Sequence, residues 1–120
     1  MTGMMNREFA EKFASQWIDA WNSHDLDRVL SHYTDDFEMS SPYIREIAGE
    51  LSGTLKGKPA VAQYWATALE RMPTLRFELI EVLTGVNSIV LYYRGVRGMA
   101  AEMFIFNAAG KVVKASAHYV

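Results

Sequence analysis

The chain has no cysteine. That absence excludes disulfides, thiol catalysis and Cys-ligated zinc. An excess of charge of either sign is also missing. The 12 basic and 14 acidic residues leave a formal charge of −2, which supplies no basic surface for nucleic acid or an anionic membrane. No apolar run approaches the roughly 18 residues of a membrane span. The opening MTGMMNREF contains no apolar stretch of signal-peptide length. Proline is rare, and no Pro/Gly-rich linker, repeat or low-complexity tract divides the chain. The expectation is one soluble, cytoplasmic domain over residues 1–120, large enough for one core and too small for two.

What is present is an ordinary globular balance, with 50% apolar residues and 22% charged. From Asn6 to Asn22, Phe9, Phe13, Trp17 and Trp21 recur every fourth residue, which predicts an amphipathic helix with an aromatic stripe. Asp25 can cap a second helix whose face is Leu26, Val29, Leu30 and Tyr33. Phe37, Met39 and Ser41 alternate with Glu38 and Ser40, so a short strand is expected up to Pro42. Residues 43–57 read as a connection with partial helical character, ending in the loop GTLKG. Pro59 suits the first turn of a third helix, with Val61, Tyr64, Trp65, Ala68, Leu69 and Met72 on one face.

Beyond Pro73 the pattern is strand: 75–84, 88–97, 99–106 and 112–120, with turns at GVN, near Gly98 and at NAAG. Helices followed by an antiparallel meander make an α+β domain. Three helices packed on one face of a long curved antiparallel sheet can enclose a pocket on the concave side. The opposite face keeps apolar residues, and pairing of two copies through it into a homodimer would cover them.

Three stretches carry a resemblance to a known family. WIDAWNSHDLDRVLSHYTDDFEMSSP, the helix PAVAQYWATAL after a Gly–Gly loop, and the ending FIFNAAGKVVKASAHY resemble the nuclear transport factor 2-like superfamily. Within it they are most similar to SnoaL-like proteins and bacterial ketosteroid isomerases. The resemblance implies a cone-shaped fold, often homodimeric, around a mostly apolar pocket. The isomerases use a carboxylate base, a tyrosine donor and an aspartic acid kept neutral by its apolar site. By the resemblance these positions are Ser41, Trp17 and Glu102. A neutral serine cannot take a carbon-bound proton without a partner base, and an indole is not a phenol. Standard ketosteroid isomerisation is therefore not expected.

Glu102 stands out without any family. It is the only charge in the eleven residues GMAAEMFIFNA, and alternation places it with Ala100, Phe104 and Phe106. On a concave apolar face its pKa would rise, making it a candidate acid, base or anchor. The alternative has it facing outward and pairing with Lys111 or Lys114. Candidate ligand-lining residues are Phe37, Met39, Trp65 and Leu69, together with Phe77, Tyr93, Phe104 and Tyr119, beside Trp17.

The histidines, His24, His32 and His118, share no metal-ligand spacing, so no metal or other cofactor is expected. His32 falls on the wet side of the second helix. If Tyr119 faces the pocket, His118 faces away; a register shift would reverse this and make His118 a reserve base. Asp25 and Asp27 read as helix-cap residues, and Asp35 and Asp36 as turn residues before the first strand. Glu46 and Glu50 lie in a connection that could reach the cavity mouth as a lid. The function expected is binding of a small, mainly apolar organic molecule. Any catalysis would be proton transfer (isomerisation, dehydration or cyclisation) at Glu102, with Ser41 and Trp17 orienting. The alternative is a non-catalytic binding or interaction module of the same fold.

Overall fold

In the computed structural model, which describes residues 5–120, the Asn6 side chain accepts a hydrogen bond from the Phe9 amide at 3.1 Å and starts the first helix. Residues 1–4, part of the expected 1–120 domain and of the leader reading, lie outside the described residues. α1 (Arg7–Asn22) buries Ala10, Phe13, Ala14, Trp17, Ala20 and Trp21, the stripe expected from the spacing. His24 takes a left-handed turn (φ 57°), and Asp25 caps α2 (Leu26–Leu30) by accepting from the Arg28 amide. Then come β1 (Tyr33–Ser40), α3 (Pro42–Ile47), β2 (Thr54–Lys56) and α4 (Lys58–Arg71). β3 (Glu78–Gly85), β4 (Ser88–Gly95), β5 (Gly98–Phe106) and β6 (Val112–Tyr119) complete the chain.

The six strands form one sheet in the order β2-β1-β6-β5-β4-β3. The β3–β6 meander and the β1–β2 pair are antiparallel, while β1 lies parallel to β6. Strand alternation separates the two faces. In β5, Ala100, Glu102, Phe104 and Phe106 are buried, while Ala101, Met103 and Ile105 point the other way and are half-buried. Helix and sheet meet through aromatic edges: Phe13 packs on Phe104 and Phe106 at 4.9 and 5.0 Å between ring centres. Such edge-to-face pairs are the favoured geometry for aromatic rings.

Several boundaries differ from the sequence reading, each for a local reason. Tyr33 opens β1 instead of closing α2, and is buried there. Asp35 and Asp36 lie within β1, in an irregular stretch where five steps of β1 match two of β6, and not in a preceding turn. Pro42 does begin something: it is the first residue of α3, and the Ser41 oxygen accepts from the Tyr43 amide at 3.1 Å as its cap. Proline fits there because that position needs no amide hydrogen. GTLKG contains β2, three residues too short for a visible alternation and held by pairing with β1. Leu75 precedes β3, in a loop pinned from α1. Asn22 donates to the Phe77 carbonyl (3.0 Å) and accepts from its amide (2.7 Å), and His24 Nε2 bonds the Leu75 carbonyl. β4 ends at Gly95, so Val96 and Arg97 form the turn to β5. Gly98 follows at φ 122°, a conformation only glycine adopts without strain.

No helix of the described residues is long and apolar enough to cross a membrane.

Candidate functional site

Between the helices and the concave sheet face lies a cavity of about 70 Å³. About half of its lining residues are aromatic. Trp17 and Trp21 come from α1, Tyr64 and Trp65 from α4, Phe77 from the loop before β3, and Tyr93 from β4. These positions share the cavity because each element turns its apolar stripe or inward parity toward the same space. Trp17 sits at the centre, stacked on Phe77 at 5.7 Å and edge-on to Tyr93 at 5.5 Å.

Glu102 projects into this cavity from β5 and is only 4% exposed. Its Oε1 accepts a hydrogen bond from the Tyr93 hydroxyl at 3.1 Å. Burial pushes its pKa up to about 7, and the Tyr93 bond opposes part of that rise. Carboxyl groups behave this way when water is withdrawn from the charged form. The outward alternative does not apply: Lys114 pairs with Glu38 at 4.0 Å, and the Lys111 ammonium donates to the Ser31 carbonyl.

Tyrosines surround the acid. Tyr33 and Tyr93 have pKa values held well above the ordinary phenol range, first by burial and next by the charge of Glu102. Burial pushes Tyr64 up to about 12 and raises Tyr119 strongly, with the Ser41 hydroxyl offsetting part of each rise. Near neutral pH these phenols are therefore un-ionised, and it is Glu102 beside them that changes charge. The arrangement can hold a proton, release it, or offer a hydrogen bond to a developing negative charge.

The residues singled out in the sequence divide into two sets. Trp17, Met39, Trp65, Phe77, Tyr93, Glu102 and Tyr119 line the cavity. Phe37 and Phe104 do not; both are fully buried in the core behind it. Leu69 also falls outside the lining and packs half-buried on the core, because its place on α4 turns it aside from Trp65 and Ala68. Ser41 is buried; its oxygen caps α3 by accepting from the Tyr43 amide, and its hydroxyl lies beside Tyr64 and Tyr119. The Trp17 indole N–H is likewise committed, donating to the Tyr33 hydroxyl at 3.0 Å.

Asp25 caps α2, and Asp35 reaches only Lys58 on the surface. Glu50 turns back to the Ser52 amide, whereas Glu46 reaches the cavity rim through Arg97. The histidines stay apart. His24 holds the loop before β3, His32 packs edge-on to Phe13, and His118 is exposed on the outer sheet face. His32 is half-buried beneath α1, not on a wet side, and burial lowers its pKa. Among the described residues no three metal-ligating side chains converge.

Sequence reasoning missed Trp21, Tyr43, Tyr64 and Arg97 as lining residues. Trp21 and Tyr64 were on the correct helical faces, and nothing in their spacing separates lining from core. Trp21 Nε1 is the one buried side-chain donor without a partner among the described residues. Tyr43 and Arg97 were hidden because one belongs to the short α3 and the other to a turn.

The sequence pattern of the SnoaL-like domain matches residues 14–118. This chain belongs to the SnoaL-like family. A SnoaL-like protein of unknown function from Burkholderia thailandensis is 54% identical, with 96% of this chain and 97% of that one covered and a TM-score of 0.92. An NTF2-like protein of unknown function from Burkholderia pseudomallei is 18% identical, covering 97% and 92%, with a TM-score of 0.70. TerC, co-crystallised with polyporic acid, is 14% identical, covering 93% and 92%, with a TM-score of 0.74. The two distant structures share the fold, that of the nuclear transport factor 2-like superfamily. No curated protein matches the chain.

Proposed function

We propose that this SnoaL-like protein binds a small, mainly apolar organic molecule in its cavity and moves a proton on it through Glu102. The observation that carries this reading is the isolated acid: a carboxyl with a pKa near 7 in an aromatic cavity, held by one tyrosine. As a carboxylate it can take a proton from carbon or oxygen, and as the acid it can return that proton elsewhere on the ligand. Tyr93 orients it, its single hydroxyl proton donated to Oε1. That chemistry serves isomerisation, dehydration or cyclisation. Ser41 and Trp17 act as positioning residues, through α3 and Tyr33 respectively.

The test is turnover across a panel of enones, epoxides and hydroxy acids, in the wild type and in Glu102→Gln. The expected result is activity rising through pH 7 in the wild type and lost in the variant. Full turnover by Glu102→Gln would sink the proposal. A second reading, ligand binding without catalysis, is favoured by the commitment of Ser41 and Trp17 to internal bonds; it predicts binding of apolar probes with no turnover.

We also propose a homodimer through the outer sheet face. Leu83 and Tyr92 are exposed there, beside half-buried Val90, Met103 and Ile105. An apolar sheet face left open in one copy is covered most simply by another.

A further inference from the structure

Two of the cavity's lining residues carry charge. Glu102 is the deep one, and Arg97 stands at the rim with its side chain 52% exposed. Arg97 occupies the tip of the β4–β5 turn, where an arginine could extend freely into water. Instead its guanidinium lies over the Tyr43 ring at 4.6 Å, and that ring stacks on Tyr119 at 4.2 Å. Arg97, Tyr43 and Tyr119 thus form a continuous wall from the rim inward.

The guanidinium is held but not used up. Its two terminal nitrogens bond Glu46 at 3.2 and 3.5 Å, and both partners are about half exposed. Exposed pairs of this kind are weak and easily exchanged, and a guanidinium keeps further donors beyond two bonds. Deeper in the cavity an anionic group would lie beside Glu102, which repels it when ionised and which it keeps from ionising. The rim, by contrast, offers such a group a fixed positive charge.

We propose that Arg97 sets the specificity of this cavity and that its ligand is an amphipathic organic acid. The carboxylate or acidic enol docks on Arg97 in place of Glu46, and the apolar body lies among Trp17, Trp21 and Phe77. The end opposite the acid group then faces Glu102 and Tyr93. This inference rests on the reading of the cavity as a site for an apolar organic molecule, and adds the charge that the molecule carries.

All three tryptophans of the chain line the cavity, so their fluorescence reports its occupancy. The experiment titrates wild type, Arg97→Gln, Arg97→Lys and Glu46→Gln with 2-naphthoate and with its neutral counterpart 2-naphthamide, at low and high salt. Expected is a roughly five- to tenfold preference of the wild type for naphthoate at low salt, shrinking at high salt as the charges are screened. Arg97→Gln brings the ratio to about one, Arg97→Lys keeps part of it, and Glu46→Gln enlarges it. Equal binding of both probes by the wild type, or a preference that survives Arg97→Gln, overturns this inference alone. Failure of both probes to bind overturns it together with the proposed function.

Discussion

Replacing Glu102 by glutamine should make the protein more stable at alkaline pH while removing its acid/base group. The folded chain holds the Glu102 proton up to about pH 7, whereas a carboxyl at its ordinary value of 4.5 releases it far earlier. Between those values the unfolded state binds fewer protons than the folded state, so Glu102 lowers stability as pH rises. The loss sets in near pH 4.5 and is complete above pH 7, totalling about 3 kcal/mol. Glutamine has nearly the same shape as the protonated acid, can still accept the Tyr93 hydroxyl bond, and does not titrate. Urea unfolding of both proteins at pH 5 and pH 8 should therefore show the variant gaining about 2.5 kcal/mol relative to wild type over that interval. At pH 8 the full difference corresponds to roughly 10 °C in Tm for a chain of this size. Groups common to both proteins cancel in the comparison. Parallel pH profiles would refute the reasoning, since they would mean that Glu102 is hydrated and ionises as it does in the unfolded chain. Increased stability with lost function is the pattern expected of a group retained for activity at a cost in stability.

Tyr93→Phe removes the one hydrogen bond that lowers the Glu102 pKa. The carboxyl midpoint, followed by ¹³C NMR, should move upward, and a downward move would contradict the assignment. Ser41→Ala deletes the α3 cap and should cost about 1 kcal/mol, with faster hydrogen exchange over residues 43–47. In the wild type, exchange over residues 43–51 as slow as in α4 would show that this connection is not a lid. Asn22→Ala removes both side-chain bonds to Phe77 and should destabilise by about 1–3 kcal/mol in thermal melts; a change under about 0.5 kcal/mol would mean the loop before β3 is held by packing alone. Sedimentation at micromolar concentration should give a dimer that Met103→Glu converts to monomer; a monomeric wild type would refute pairing through the outer face.

The helices and the meander were readable because their signals are periodic. The four-residue spacing from Phe9 to Trp21 marks α1, and alternation in 98–106 marks β5 and places Glu102 among buried neighbours. α3 was readable only as partial helical character in residues 43–57, and β2 not at all, since six residues of helix and three of strand are too short for periodicity to set their bounds. Phe37 and Phe104 could not be told from cavity walls for a different cause: strand parity reveals that a residue points inward, not whether another side chain stands in front of it.

By itself, the sequence determined the α+β class, the buried stripes of α1 and α4 and the absence of thiol chemistry, since composition and local periodicity decide those. It also singled out Glu102, because one charge in an apolar strand is costly without a purpose. The tertiary structure alone decided what that carboxyl meets. The Tyr93 hydroxyl is nine residues away in sequence and 3.1 Å away in space. Arg97, Tyr43 and Tyr119 become one wall only when a turn, a short helix and the last strand converge. The physical reason is common to these cases. A pKa and a binding surface depend on neighbours brought together by chain reversal, and no spacing along the chain records which neighbours those are.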